Sequence, residues 1–253
     1  MKNRMHHQAR IAIFPTQPSL HEKAQQYASR LALPIVFSRG ADFNYLLVIS
    51  PEKMSLIETI PKGRELYLDF LSGKAHYRQK KASLKKELLA RALGLKPKER
   101  PCIVDATGGF AQDSLILATL GYPTIILERS GVIYTLLKDG CDRASSQLEA
   151  LKRLTLIHAD AIVWLKNNPQ PDLIYLDPMF PNHSKSALAR KQLQFFQRIV
   201  GQDDDASLLF ETALACARQR VVVKRPRLAS SITEQKPTYC LAGSSCRFDV
   251  YLK

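Results

Sequence analysis

Short apolar runs recur along this chain, and each ends at a turn former. Between them, apolar positions return every three or four residues. The first kind of pattern predicts strands and the second predicts helices. Residues 10–14, 34–37 and 45–49 read as strands. Residues 19–31 read as a helix capped by Ser19, and residues 56–60 and 65–70 as two further strands around the Pro61–Gly63 turn. Ser83 opens a helix predicted to run to Leu93, with Gly94 just past its end. From Arg100 the rhythm is strand, glycine turn, helix. Strands are predicted at 101–104, 124–127, 154–158, 173–176, 220–223 and 247–252, and helices at 112–120, 132–142, 161–166, 193–200 and 207–217. Alternation of this kind predicts an open, mainly parallel, doubly wound α/β sheet. A small N-terminal α/β domain over 1–75 is expected to precede a principal domain over 76–253.

Charge divides the chain in the same way. The net charge is +14, and residues 1–100 carry 19 basic against 8 acidic side chains. From Lys74 to Arg100 there are ten basic residues, with only Glu87 and Glu99 opposing them and Tyr77 among them. A basic segment with an interleaved aromatic suits a nucleic-acid backbone, although a merely solvated helix face would look similar. The five cysteines form no Cys-x-x-Cys pair and have no His at ligand spacing, so free thiols in a reducing cytoplasm are expected, with no metal site. The apolar run at 11–14 stops at Pro15, too short for a signal peptide core, and no stretch approaches the length of a membrane span.

Candidate chemistry gathers at the strand ends. Asp105-Ala-Thr-Gly-Gly-Phe-Ala-Gln-Asp113 follows the first strand of the large sheet. Gly108 and Gly109 allow close backbone approach to a ligand, but the third glycine of a dinucleotide loop is missing. Acidic residues in that loop would repel a pyrophosphate. They suit a donor carrying a sulfonium and an ammonium group, namely S-adenosylmethionine. Glu128, at the end of the second strand, can accept both ribose hydroxyls. Asp160, beside Ala161, can accept from the adenine amino group, and Asp177 ends the fourth strand. Four strands in a row finishing on carboxylates point to a methyl-donor site. N-capping of the following helices is the structural alternative, and it suits Asp160 better than Glu128. Asp177-Pro-Met-Phe180 then offers a carboxylate, the Pro178 carbonyl and the Phe180 ring, a clamp for the exocyclic amino group of an extruded base.

These segments, with Leu127-Glu-Arg129, Tyr175-Leu-Asp-Pro-Met-Phe-Pro181 and Val221-Val-Val-Lys-Arg-Pro226, resemble the ribosomal RNA small-subunit methyltransferase J family from about Asp69 onward. The resemblance implies a Rossmann-like, doubly wound methyltransferase sheet and methyl transfer from S-adenosylmethionine to guanosine N2 of 16S ribosomal RNA or the small ribosomal subunit. It also implies donor contacts at Gln112, Asp113, Glu128, Arg129, Asp160, Ala161 and Asp177. This chain has Gln112 where relatives often have Arg, and it lacks their small hydroxyl residues near Asp160. Lys74, Arg78, Lys80, Lys81, Lys185, Arg190, Lys191, Lys224 and Arg225 are the candidate RNA phosphate contacts, each with an ordinary surface cation as its alternative. Three rival readings remain at this point: an adenine-N6 methyltransferase, a nicotinamide-dependent oxidoreductase and an RNA-binding protein with an inactive pocket.

Overall fold

The computed structural model describes residues 9–38, 42–61, 63–178, 199 and 205–253. Of Lys74 and Ala75 it describes the backbone only. The chain forms two compact units. One takes the chain up to Leu68 and also Gly131–Arg143. The other takes Asp69–Ser130, then resumes at Ala144 and, among the described residues, runs to the C-terminus.

In the first unit, β1 (Ile11–Pro15), β2 (Tyr45–Ile49), β3 (Met54–Glu58) and β4 (Glu65–Leu66) form a sheet in that order. β1 and β2 run parallel and the remaining pairs antiparallel. Ala12, Leu46 and Val48 are buried on one face, the period-2 pattern of a strand with an inner side. Helix α1 spans His21–Leu31. A 3-10 turn, Pro18–Leu20, stands before it instead of a Ser19 cap. The strand predicted at 34–37 reduces to a single bridge between Ile13 and Ile35, because Pro34 has no N–H to extend the ladder. Arg30, in α1, donates to Thr135 Oγ1 at 3.0 Å. Thr135 lies in α5 (Gly131–Ala144).

The second unit holds a seven-stranded sheet. Its strands are β5 (Ile103–Asp105), β6 (Thr124–Glu128), β7 (Leu154–His158), β8 (Leu173–Leu176), β9 (Arg220–Pro226), β10 (Tyr239–Ala242) and β11 (Cys246–Leu252), in the order β10-β11-β9-β8-β5-β6-β7. β5 to β9 are mutually parallel, whereas β11 is antiparallel to β9 and β10 to β11. The chain moves outward from β5 through β6 to β7, then returns to place β8 on the other side of β5. That reversal makes a crevice at the carboxyl ends of β5 and β8, the usual ligand position of an open α/β sheet.

Both faces of this sheet are covered. Val104, Ile174, Leu176, Val221 and Val223 pack under α6 (Ala161–Asn167) and α7 (Ala206–Cys216). Ile103, Leu173, Tyr175 and Val222 pack under α3 (Leu88–Ala92) and α4 (Gln112–Thr119). The predicted helix at 83–93 is shorter, because Ala82 and Glu87 are extended and only α3 follows them. Gly94, at φ +66°, ends α3 with Gly94 N–H to Arg91 O and Leu95 N–H to Ala90 O, both at 3.0 Å, the bonding of a Schellman cap. Helix α2 (Gly73–Lys81) was not expected. It is polar almost throughout and so lacks an apolar stripe for sequence periodicity to detect. The predicted helix at 193–200 lies outside the described residues, apart from Ile199.

Candidate active site

The site is set by strand parity. Tyr175 pairs in register with Val222, and Leu176 with Val223. One step further, Asp177 stands opposite Lys224, and both fall on the α4 face because side chains alternate along a strand. Lys224 Nζ donates to Asp177 Oδ2 at 2.9 Å and to Asp113 Oδ2 at 2.8 Å. Asp113, in the first turn of α4, also accepts from Tyr175 Oη at 2.7 Å and, through Oδ1, from Arg78 Nη1 at 2.7 Å. Arg78 in turn bonds Glu87. Five charges of alternating sign therefore run from Glu87 through Arg78, Asp113 and Lys224 to Asp177.

Solvation and charge tune these groups. Burial alone would raise the Asp113 carboxyl, but the Lys224 ammonium and Arg78 guanidinium outweigh it and lower it to about 2. Lys224 loses solvation too, yet the two carboxylates carry it above the usual ammonium range. At Asp177 loss of solvation dominates and raises the carboxyl; Lys224 pulls it down, and Asp113 adds to the rise. The Asp177 side chain keeps 41% of its surface exposed, so water still reaches this acid. Its Oδ1 has no partner among the described residues. Its backbone N–H is fixed by Thr107 Oγ1 at 2.7 Å. A cleft of about 360 Å³ opens beside Lys224, with Leu89 and Phe248 lining it along with Arg78, Lys86 and the Gly243–Cys246 turn.

The Asp105 loop is built for close approach. A Cβ on Gly108 would meet Leu127 O and Ile126 Cγ2 at 2.9 Å, so only glycine lets the loop lie on β6, where Gly108 N–H bonds Leu127 O at 2.9 Å. Gly109 N–H donates to Glu128 Oε2 at 2.8 Å, and Ser130 N–H to Glu128 Oε1 at 2.7 Å. Glu128 is thereby oriented at the end of β6.

Several sequence expectations change here. Asp105 does not face a ligand: its carboxylate is buried, accepting from Ser114 Oγ, Thr107 N–H and Thr107 Oγ1, and burial pushes it up to about 7. Asp113 is also buried and committed to Arg78, Lys224 and Tyr175, so it supports the loop from behind. Lys224 and Arg78, expected as phosphate contacts, are instead drawn into the acid cluster. Arg225 is 4% exposed and bonds Ser230 O. The odd positions of β9 turn away from the crevice, and Arg225 is no surface clamp.

Asp160 caps α6, accepting from Val163 N–H at 2.9 Å through Oδ1. The cap leaves Oδ2 for another donor. Ala161 is buried beside it, Gln112 is exposed, and Arg129 pairs with Asp205 at 2.8 Å. Pro178 is buried, whereas Lys80 and Lys81 are exposed on α2. Phe180, Lys185, Arg190, Lys191 and the Lys74 side chain lie outside the described residues. Among the described residues no cluster of His, Cys, Asp and Glu could hold a metal ion, and no helix is long and apolar enough to cross a membrane.

The reversed strand order, the glycine loop pressed on β6 and the acidic ends of β6 and β8 define an S-adenosylmethionine-dependent methyltransferase. A family model described as "Putative SAM-dependent methyltransferase" matches residues 28–253. A ribosomal RNA small subunit methyltransferase J from Thioalkalivibrio sulfidiphilus is 41% identical over 250 residues, covering 96% of this chain and 98% of the relative. The protein of the same name from Coxiella burnetii is 40% identical over 246 residues, covering 96% of each. The crystal structure of a SAM-dependent methyltransferase from Neisseria gonorrhoeae superposes with a TM-score of 0.74 at 30% identity over 95% of both chains. This chain belongs to the ribosomal RNA small subunit methyltransferase J family.

Proposed function

We propose that the protein methylates the exocyclic N2 of a guanosine in 16S ribosomal RNA, with Asp177 as the acceptor for the amino group. The observation that carries this reading is the partly exposed Asp177 carboxylate at the β8 end of the crevice, held at Oδ2 with Oδ1 unpaired among the described residues. The chain's residues fit the donor. Gly108 keeps the loop flat on β6, and Glu128, Asp160 and Ala161 offer acceptors and an apolar wall to the ribose and adenine. Gln112 and Arg129 border the same loop ends. When bound, S-adenosylmethionine supplies a methyl group on cationic sulfur, and the products are N2-methylguanosine, the thioether S-adenosylhomocysteine and one proton.

The guanine amino lone pair is conjugated with the ring and is a poor nucleophile. Asp177 Oδ1 and the Pro178 carbonyl accept hydrogen bonds from its two N–H groups, turning the lone pair out of the ring plane and stabilising the positive charge that develops on nitrogen. Orientation at close range supplies much of the remaining acceleration. The RNA substrate gives a role to the exposed cations of α2, and a ribosomal target carries with it a cytoplasmic site of action.

The test is methyl transfer to 16S ribosomal RNA, both naked and in assembled small subunits, followed by nucleoside analysis. N2-methylguanosine is expected, and N6-methyladenosine as the product would overturn the reading. Asp177→Asn should lower the transfer rate by at least about 10²-fold while the protein stays folded. Undiminished transfer by that variant would remove Asp177 from the role.

A further inference from the structure

We propose that Lys224 is a positioning residue for the transfer: its ammonium holds Oδ2 of Asp177 and leaves Oδ1 as the acceptor for the nucleobase amino group. The inference rests on the reading of Asp177 given above. It follows from three observations.

The register places Lys224 across from Asp177, one step beyond the last paired positions of β8 and β9, Leu176 and Val223. The ammonium is also anchored from behind by Asp113, which is itself fixed by Arg78 and Tyr175. Lys224 is the one cation paired with Asp177 among the described residues. A lysine spent on two carboxylates has little capacity left for a phosphate, so its function points inward. An unrestrained carboxylate could turn about its last torsion and present either oxygen. Bonding one oxygen to a fixed ammonium removes that freedom before substrate arrives.

The charge has a second effect. The ionisable groups around Asp177 are Asp113 from α4, Asp105 from β5, Tyr175 from β8, Lys224 from β9, Cys246 from β11 and, through Asp113, Arg78 from α2. Loss of solvation and Asp113 disfavour an ionised Asp177, and Lys224 is the direct counterweight. Without it Asp177 would hold its proton to higher pH, and a protonated carboxyl is a poorer acceptor for a developing cation.

The experiment is a set of single-turnover pH–rate profiles on ribosomal RNA for the parent, Lys224→Gln, Lys224→Arg and Asp177→Asn, with S-adenosylmethionine affinity measured by calorimetry. Lys224→Gln should move the acid limb up by at least one pH unit, lower the rate on that limb by at least tenfold, and leave a smaller residual loss on the plateau, where the carboxylate is ionised but no longer oriented. Its donor affinity should change by less than about threefold. Lys224→Arg keeps the charge and should leave the acid limb within half a unit of the parent. If Lys224→Gln does not fold, the Arg profile decides: an acid limb displaced as far as a neutral substitution requires overturns the proposal. A uniform loss at every pH with the limb unmoved also overturns it, as does no loss at all. Full activity in Asp177→Asn would overturn the reading of Asp177 itself.

Discussion

Asp105 and Asp113 are eight positions apart and respond to pH in opposite senses. The folded Asp105 carboxyl holds its proton up to about 7, against an ordinary value of 3.8. The native state therefore carries the extra proton between those limits, and stability falls as pH rises through them. Asp113, lowered to about 2, contributes stability that is present above about 4 and is lost as pH falls toward 2. Asp105→Asn should thus flatten the stability profile. The parent should lose on the order of 2–4 kcal/mol between pH 4 and 7, and the variant less than about 1 kcal/mol, by urea denaturation across that range. A variant as pH-dependent as the parent would show that another group carries the loss. The sequence made Asp105 visible as a strand-end carboxylate and Asp113 as an acid of the loop that follows, but not what each one bonds. The signal for Lys224 was nevertheless present: it lies two residues after Val222 as Asp177 lies two after Tyr175, and strand parity then puts both side chains on one face.

Among the elements, the β5–α4 loop has little tolerance for change. Gly108→Ala would push a methyl against Leu127 O and Ile126 Cγ2. The bonds from Gly108 N–H to Leu127 O and from Gly109 N–H to Glu128 both depend on the same close approach. Gly108→Ala should weaken S-adenosylmethionine binding at least tenfold in calorimetry and cost about 1–3 kcal/mol of stability in chemical denaturation. Unchanged donor affinity would show that the loop has room to shift. Most of the large sheet was legible because β5, β6, β8 and β9 are apolar runs buried on both faces and the helices between them carry regular stripes. β10 was not: it is an edge strand of four mostly exposed residues, without enough alternation to stand out. α2 escaped notice for a different reason. Tertiary ion pairs help hold it, through Arg78 to Glu87 and Asp113, and such pairs leave no mark in local periodicity.

For the whole molecule, the basic excess of the first hundred residues now divides into two kinds of charge. Arg78 is consumed inside the second unit, whereas Lys80, Lys81, Lys85 and Lys86 remain exposed. Replacing Lys80 and Lys81 together by Gln should weaken RNA binding. It should also reduce the slope of log affinity against log salt by roughly 1.5–2, with donor affinity unaltered. An unchanged slope would remove α2 from the RNA surface.

The charge ladder from Glu87 to Asp177 has one more consequence, for the order in which its members can meet. Its members come from segments far apart in the chain, and the lysine that reconciles the two aspartates follows both of them in the sequence. Until β9 has been synthesised and added to the sheet, Asp113 and Asp177 lack their shared counter-ion. Order of synthesis thus puts the pairing of Asp113 and Asp177 after the emergence of β9, whatever the state of the strands made before it.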